Sequence, residues 1–278
     1  DIAWIKERLP NAEEHIKRKL PSMYHQFKQL ANVDITKEVM EVGPTTHYTM
    51  GGIKVDPDSQ MSAVPGLFAA GECAAGLHGA NRLGGNSLSD LVVFGKRAGE
   101  FAANFAQEKG SGTIDESQVE QVINRALAPL EREGGEQPYA IQSELQEKMQ
   151  DLVGIVRREE EMQQALGIVA ELKERAERVS APGNREYNPG WHTAIDLDNL
   201  LTVSEAIALS AIERKESRGG HFRDDYPDKD AEHLPRLMCG CARGKTAGCK
   251  WIRYRWPKCR KTCKLLSTRR ASNERGAF

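Results

Sequence analysis

The stretch from His47 to Phe105 constrains this chain more than any other, because three glycine-bearing segments follow one another within it. They are His47-Tyr48-Thr49-Met50-Gly51-Gly52, Gly66-Leu67-Phe68-Ala69-Ala70-Gly71-Glu72, and the longer run from His78 through Arg82 to Leu88. The apolar run Val64 to Ala70 reads as a strand ending at Gly71-Glu72, which puts a carboxylate at a strand's carboxyl end, where open α/β folds bind their ligands. Gly84-Gly85-Asn86-Ser87 then opens a helix, with Ser87 as N-cap and Asp90 three residues on in a capping-box pattern. Such a helix start offers free N–H groups and a positive dipole end to an electron-rich ligand. Gly95, Ala98, Gly99, Ala102 and Ala103 are small, so a flat ring system or a second backbone can approach this helix closely.

Taken alone, His47 reads as a structural histidine and the paired glycines as turns. Arg82 says more. An arginine held among glycines beside a helix start can clamp a carboxylate through two parallel N–H bonds, which suits a small anionic substrate.

The runs HGANRLGGNSLSDLVVFG (His78 to Gly95), HYTMGGI (His47 to Ile53) and GLFAAGE (Gly66 to Glu72) resemble the succinate dehydrogenase and fumarate reductase flavoprotein subunits, with similarity reaching to about Asp230. L-aspartate oxidase is a sister family; the second glycine of GGNSL resembles the succinate/fumarate branch more. The resemblance implies that His47 and Arg82 hold the substrate carboxylates and that Glu72 holds the FAD ribose. It places Asn86, Ser87 and Leu88 against the flavin ring, and it assigns no metal. It supplies no catalytic residue here, since the family's proton-donating arginine and its covalently bonded histidine belong upstream of HYTMGGI and have no match. No G-x-G-x-x-G fingerprint follows an early strand and the first residue is Asp1, so the chain is expected to be the C-terminal part of a flavoprotein.

The fold class expected is α+β or α/β in three parts. Residues 1–109 form the C-terminal part of an FAD-binding and substrate region, 113–232 a three-helix bundle domain, and 233–278 a basic, cysteine-rich tail. In the first part, Ile5, Leu9, Ile16, Leu20, Tyr24, Phe27 and Leu30 recur at helical spacing, interrupted at Pro10 and Pro21. Two short strands from Gly51 to Glu72 flank a turn at Asp56-Pro57-Asp58-Ser59. After the Gly110-Ser111-Gly112 linker come apolar stripes at helical spacing: Val119, Val122, Ile123, Ala126, Leu127 and Leu130, then Tyr139 to Val156, then Met162 to Val179. A last helix is expected over Leu197 to Lys215, after a loop holding Pro182, Gly183, Pro189 and Gly190. The loop Glu216 to Pro227 reads as packing between domains, not as a site built on His221 and Arg223.

Charge breaks sharply near the end. Residues 233–278 hold 13 Lys/Arg and one acidic residue, a net of +12, whereas residues 1–232 hold 26 and 39, a net of −13. Five of the six cysteines lie in the same segment, at C-x-C and then irregular spacings that match zinc sites poorly. Trp251, Tyr254 and Trp256 among these charges would suit nucleic acid. The reading preferred is translation out of frame or disorder, and nucleic acid is not an expected partner. The cysteines fit a reducing compartment.

No apolar run approaches the roughly 18 residues that a membrane helix needs. The expectation is therefore an FAD-dependent oxidoreductase fragment of the tricarboxylic acid cycle or electron transport, interconverting succinate and fumarate. The resemblance implies an iron–sulfur subunit and a membrane-anchor subunit as partners, and a place in the cytoplasm, peripheral on the cytoplasmic face of the inner membrane. An L-aspartate oxidase-like fragment and an inactive, basic-tailed binding protein are the alternatives. The chain alone is expected to lack turnover.

Overall fold

The computed structural model describes residues 7–8, 11–41, 43, 47–230 and, as backbone, strands 237–243 and 249–255. Two compact units divide between His47 and Tyr48.

In the first unit, helix α1 (Ala12–Lys19) is followed at once by α2 (Pro21–Leu30). Pro21 opens α2 at its first turn, where a missing N–H costs nothing. Below α2, Lys28 Nζ donates to Asp34 Oδ2 (2.8 Å) and Thr36 Oγ1 donates to Asp34 Oδ1 (2.5 Å), which pins the chain reversal after the helix. Ile5, Leu9 and Pro10 lie outside the described residues.

The second unit starts with irregular backbone. The two strands expected over Gly51 to Glu72 are reduced to single bridges, Val55 with Ser62 and Met61 with Phe68, because Pro65-Gly66 interrupts the run and cannot carry a ladder. The turn itself forms: Asp56 Oδ1 accepts from the N–H groups of Asp58 (3.1 Å) and Ser59 (2.8 Å). A 3₁₀ turn, Gly71–Cys73, leads towards the long helix α3 (Asn86–Lys109).

Four helices follow: α4 (Glu116–Glu131), α5 (Pro138–Val153), α6 (Glu159–Ala176) and α7 (Pro189–Glu213). The core lies between α5, α6 and α7, where Ile141, Leu145, Val169, Leu172, Val179, Leu197 and Leu201 are buried together. Val153, Met162, Ala165, Ala208 and Ala211 form a second cluster. α4 is peripheral: Val122 is 67% exposed, and the helix is held at its C-terminal half, where Trp191 Nε1 donates to Ala126 O (2.7 Å).

Two boundaries differ from the sequence reading. α7 begins eight residues before Leu197, because Pro189 occupies its first turn and Asn188 Oδ1 caps it by accepting from Trp191 N–H (3.0 Å); a proline read as loop is a helix start. α5 stops at Val153, and Val156 belongs instead to β1 (Val156–Arg157), paired in parallel with β2 (Phe222–Arg223). Strands β3 (Leu237–Arg243) and β4 (Cys249–Arg255) pair antiparallel within the basic segment, whose remainder lies outside the described residues.

The Glu216 to Pro227 loop closes the helical part. Arg223 is fully buried: its Nη1 donates to Ala211 O (2.9 Å) and Ile212 O (3.1 Å), orphan carbonyls at the end of α7, while its other nitrogens bond Asp225 and Glu159.

Candidate functional site

The three glycine-bearing segments meet in the second unit. Gly52 lies so close to Cys73 that a Cβ would collide with the Cys73 carbonyl, and Ile53 N–H donates to that same oxygen (2.8 Å) while Ala75 N–H donates to Ile53 O (2.9 Å). Gly71, at φ 77°, packs on α3, where a Cβ would lie 2.5 Å from Leu91 Cδ2. Glycine is needed at Gly52 for backbone approach and at Gly71 for its left-handed backbone. Glu72 is exposed, and its Oε1 accepts from Thr49 N–H (2.8 Å), so a carboxylate is fixed beside the first segment.

The third segment returns to the first through side chains. His78 Nε2 stands 3.2 Å from Asp90 Oδ2 and 3.3 Å from Tyr48 Oη, and Tyr48 Oη is 3.4 Å from Asp90 Oδ2. Above this cluster the Arg82 guanidinium lies over the Tyr48 ring, 4.7 Å from its centroid. Arg82 Nη1 donates to Leu83 O (3.2 Å), but Arg82 Nε is buried with no partner. A buried donor without an acceptor costs free energy, so this nitrogen has a hydrogen bond left to give. Burial, and then the carboxylates of Asp90 and Glu72, raise the Tyr48 phenol above its usual range, which keeps it a neutral donor.

α3 begins at Asn86, with Gly85 as its N-cap at φ 83°. This corrects the reading of Ser87 as cap: the left-handed glycine lets the chain enter the helix directly, no side chain caps it, and Asp90 is buried on Tyr48 and His78 instead of closing a capping box. The uncapped first-turn N–H groups keep their partial positive charge. Beside them Leu88 (69% exposed) and Val92 (72% exposed) form one open apolar face, continued by Gly95 and Gly99, where a Cβ would meet nothing within 4 Å. A fixed carboxylate at Glu72, an uncapped helix start at Asn86 and a flat apolar face fit the ribose and ring portions of a flavin nucleotide.

The sequence-predicted residues thus fall into groups. Glu72, Arg82, Asn86, Ser87 and Leu88 all belong to the second unit; His47 is exposed and ends the first. Tyr48, His78 and Asp90 were missed as a set. The first two adjoin the quoted motifs, but a tyrosine, a histidine and an aspartate one turn into α3, at separations of 30 and 12 residues, carry no local signal. His221 packs internally, with Nε2–H donating to Arg214 O (3.0 Å) and Nδ1 accepting from Arg157 Nη1 (3.0 Å), in line with the packing reading of that loop.

Comparison with known proteins gives the following. Residues 10–88 match the family described as FAD binding domain, and residues 142–257 the family described as Fumarate reductase flavoprotein C-term. The second match runs past the charge break and into the basic segment. The fumarate reductase flavoprotein subunit of Haemophilus influenzae is 43% identical over 223 residues, covering 78% of this chain and 37% of that protein. The succinate dehydrogenase flavoprotein subunit of Coxiella burnetii is 39% identical over 236 residues, covering 78% and 39%. The solved structure of Mycobacterium smegmatis Sdh1 in complex with UQ1 superposes with a TM-score of 0.80 at 49% identity, over 92% of this chain and 44% of that one. The chain spans about two fifths of the length of these curated relatives.

Proposed function

The chain belongs to the fumarate reductase/succinate dehydrogenase flavoprotein family, and from that premise we propose that it supplies the dicarboxylate clamp and the flavin-facing helix of an enzyme interconverting succinate and fumarate. The observation that carries the reading is Arg82: a guanidinium lying over the Tyr48 ring, with Nε buried and unpartnered, inside the glycine loop that feeds α3.

Arg82 would take one substrate carboxylate through its unpartnered Nε–H and a terminal N–H, a charge-assisted pair of fixed geometry. His47 takes the other carboxylate by the resemblance alone. The paired bonds at Arg82 fix the orientation of the carboxylate they hold, which limits how the substrate can turn. Glu72 would accept from the ribose hydroxyls, and the α3 start at Asn86, Ser87 and Leu88 would face the ring, with its N–H groups favouring electron-rich atoms. FAD, when bound, accepts or returns a hydride. Leu88 and Val92 would exclude water from that face. No residue of this chain is assigned the proton-donating role.

The partners follow as proposals: an iron–sulfur subunit taking the electrons, and a membrane anchor holding the assembly at the cytoplasmic face of the inner membrane. Among the described residues, no helix is long and apolar enough to cross a membrane. The succinate and fumarate relatives favour this reading over an aspartate oxidase and over a nucleic-acid-binding protein.

The test is equilibrium binding of malonate, a dicarboxylate that cannot be oxidised this way. Removal of a charge-assisted hydrogen-bond pair is worth roughly 1.5–3 kcal/mol, so Arg82→Met is expected to weaken binding by about 10- to 150-fold, and His47→Ala to weaken it as well. Malonate affinity unchanged by Arg82→Met rules the clamp out.

A further inference from the structure

Three side chains beneath Arg82 have no part in the chemistry just described. His78 and Asp90 are nearly closed to solvent, with side chains 10% and 4% exposed, and both converge on the Tyr48 hydroxyl. Their proton arrangement follows from donor and acceptor types. Asp90 as a carboxylate can only accept, so the proton facing it at 3.2 Å must sit on His78 Nε2. That nitrogen then cannot accept from Tyr48, and the phenol proton goes to Asp90 Oδ2 (3.4 Å), which receives both donors. The Tyr48 oxygen, 3.3 Å from Nε2, shares the imidazole proton. The ring edge-on to His78, with centroids 5.3 Å apart at 83°, is thereby fixed both at its oxygen and on its side.

We infer that Tyr48, His78 and Asp90 form a positioning platform whose task is to hold the Arg82 guanidinium over the Tyr48 ring, ready for the substrate carboxylate. The inference rests on the dicarboxylate reading above and deepens it. An arginine surrounded by glycines has many rotamers open to it, and the flanking Gly79, Gly84 and Gly85 do nothing to restrict them. Stacking on an immobilised ring selects one of those rotamers before the ligand arrives, so less entropy is lost on binding. Tyr48, His78 and Asp90 are positioning residues in this account, acting through Arg82 and not touching the substrate.

The side-chain Nε–H resonance of Arg82 reports the arrangement directly. It would be followed by heteronuclear NMR in the full 278-residue chain, assigned by its disappearance in Arg82→Lys, and titrated with malonate. A resonance displaced from the bulk arginine position by ring current is expected in the unsubstituted chain. Tyr48→Leu should return it to the bulk position and raise the malonate Kd by on the order of tenfold. Tyr48→Phe keeps the ring and loses the anchor, so the displacement should shrink without vanishing, and Asp90→Asn should act in the same direction. Backbone spectra of each variant separate these effects from loss of fold. An Arg82 signal at the bulk position from the start, or one unmoved by Tyr48→Leu in a folded chain, overturns the platform. A displaced signal that collapses in Tyr48→Leu but never responds to malonate leaves the platform standing and removes the dicarboxylate reading.

Discussion

The backbone N–H of Gly220 donates to the carbonyl of Ala80 across 2.9 Å, so the loop that closes the helical half is hydrogen-bonded to the loop that carries Arg82. Gly219 sits nearer still. At φ 63° a Cβ there would lie 2.5 Å from Ala80 O and 2.8 Å from Asn81 Cβ. Two residues without side chains let two distant stretches of sequence share one surface, and the position of Arg82 depends on that surface.

Gly219→Ala is therefore expected to be costly in two ways. The left-handed backbone alone costs about 1–2 kcal/mol for a residue with a Cβ, and the overlap with Ala80 adds roughly as much again. Gly134→Ala meets only the first cost, since it has φ 77° and open space around it. Denaturant unfolding of both variants measures the difference; equal losses would mean the Ala80 contact yields freely.

The sequence made the helical half largely legible. Met162, Val169 and Leu172 recur at helical spacing and are buried where that spacing puts them, because periodicity is a local property. The stripe on α4 was equally regular, yet Val119, Val122 and Ile123 are exposed: a pattern shows which face is apolar and not what covers it. In the candidate site, Arg82 and Glu72 stood out through their glycine neighbours. Asp90 was misread, because its spacing from Ser87 imitates a capping box, and only the fold reveals that Tyr48 and His78 reach it from separations of 42 and 12 residues.

A buried cation helps to hold the end of α7. Arg223 satisfies two terminal carbonyls and pairs with Asp225 and Glu159, so removing it takes the donor from both carbonyls, while Glu159 keeps Lys215 and Asp225 keeps the Glu159 N–H. Arg223→Met should destabilise the fold by about 3–5 kcal/mol, and Arg223→Lys should not restore it, since one ammonium cannot reproduce the planar fork. The exposed pair Arg125 with Asp198 is the control: its loss should cost no more than about 1 kcal/mol. Comparable losses in thermal unfolding would refute the keystone role of Arg223.

His221 gives the same region a pH signature. Burial, reinforced by the neighbouring charges of Arg157, Arg214 and Arg223 and opposed by its bond to the Arg214 carbonyl, lowers its pKa from 6.5 to about 4. Between those values the unfolded chain binds more protons than the folded one, so stability falls as pH drops from 6.5 towards 4 and is level with respect to this group above 6.5. Asp225, which the Arg223 hydrogen bond lowers from 3.8 to about 2, acts in the same sense but only below that window. His221→Gln should flatten the slope between pH 6.5 and 4.5 in denaturation series; an unchanged slope would assign the proton uptake elsewhere.

Caps offer the sharpest contrast between pattern and structure. Ser87 sits in the sequence where a cap is expected, but Gly85 fills that role and the serine hydroxyl closes no backbone donor in α3. Asn188 lies next to a Pro-Gly pair that resembles a loop, but its Oδ1 takes the Trp191 N–H at 3.0 Å and its Nδ2 donates to Ala181 O at 3.2 Å, fixing both the start of α7 and the chain before it. Asn188→Ala should lower stability by about 1 kcal/mol or somewhat more, the ordinary value of a lost N-cap plus one further bond. Ser87→Ala should change it by less than about 0.5 kcal/mol, as for a surface position without a structural duty. Because the uncapped α3 start is also where an electron-rich ring is proposed to sit, Ser87→Ala should weaken FAD binding, followed by quenching of flavin fluorescence, more than it weakens the fold. Loss of stability in Ser87→Ala comparable with that in Asn188→Ala would return the serine to its capping role and leave the α3 start without free donors.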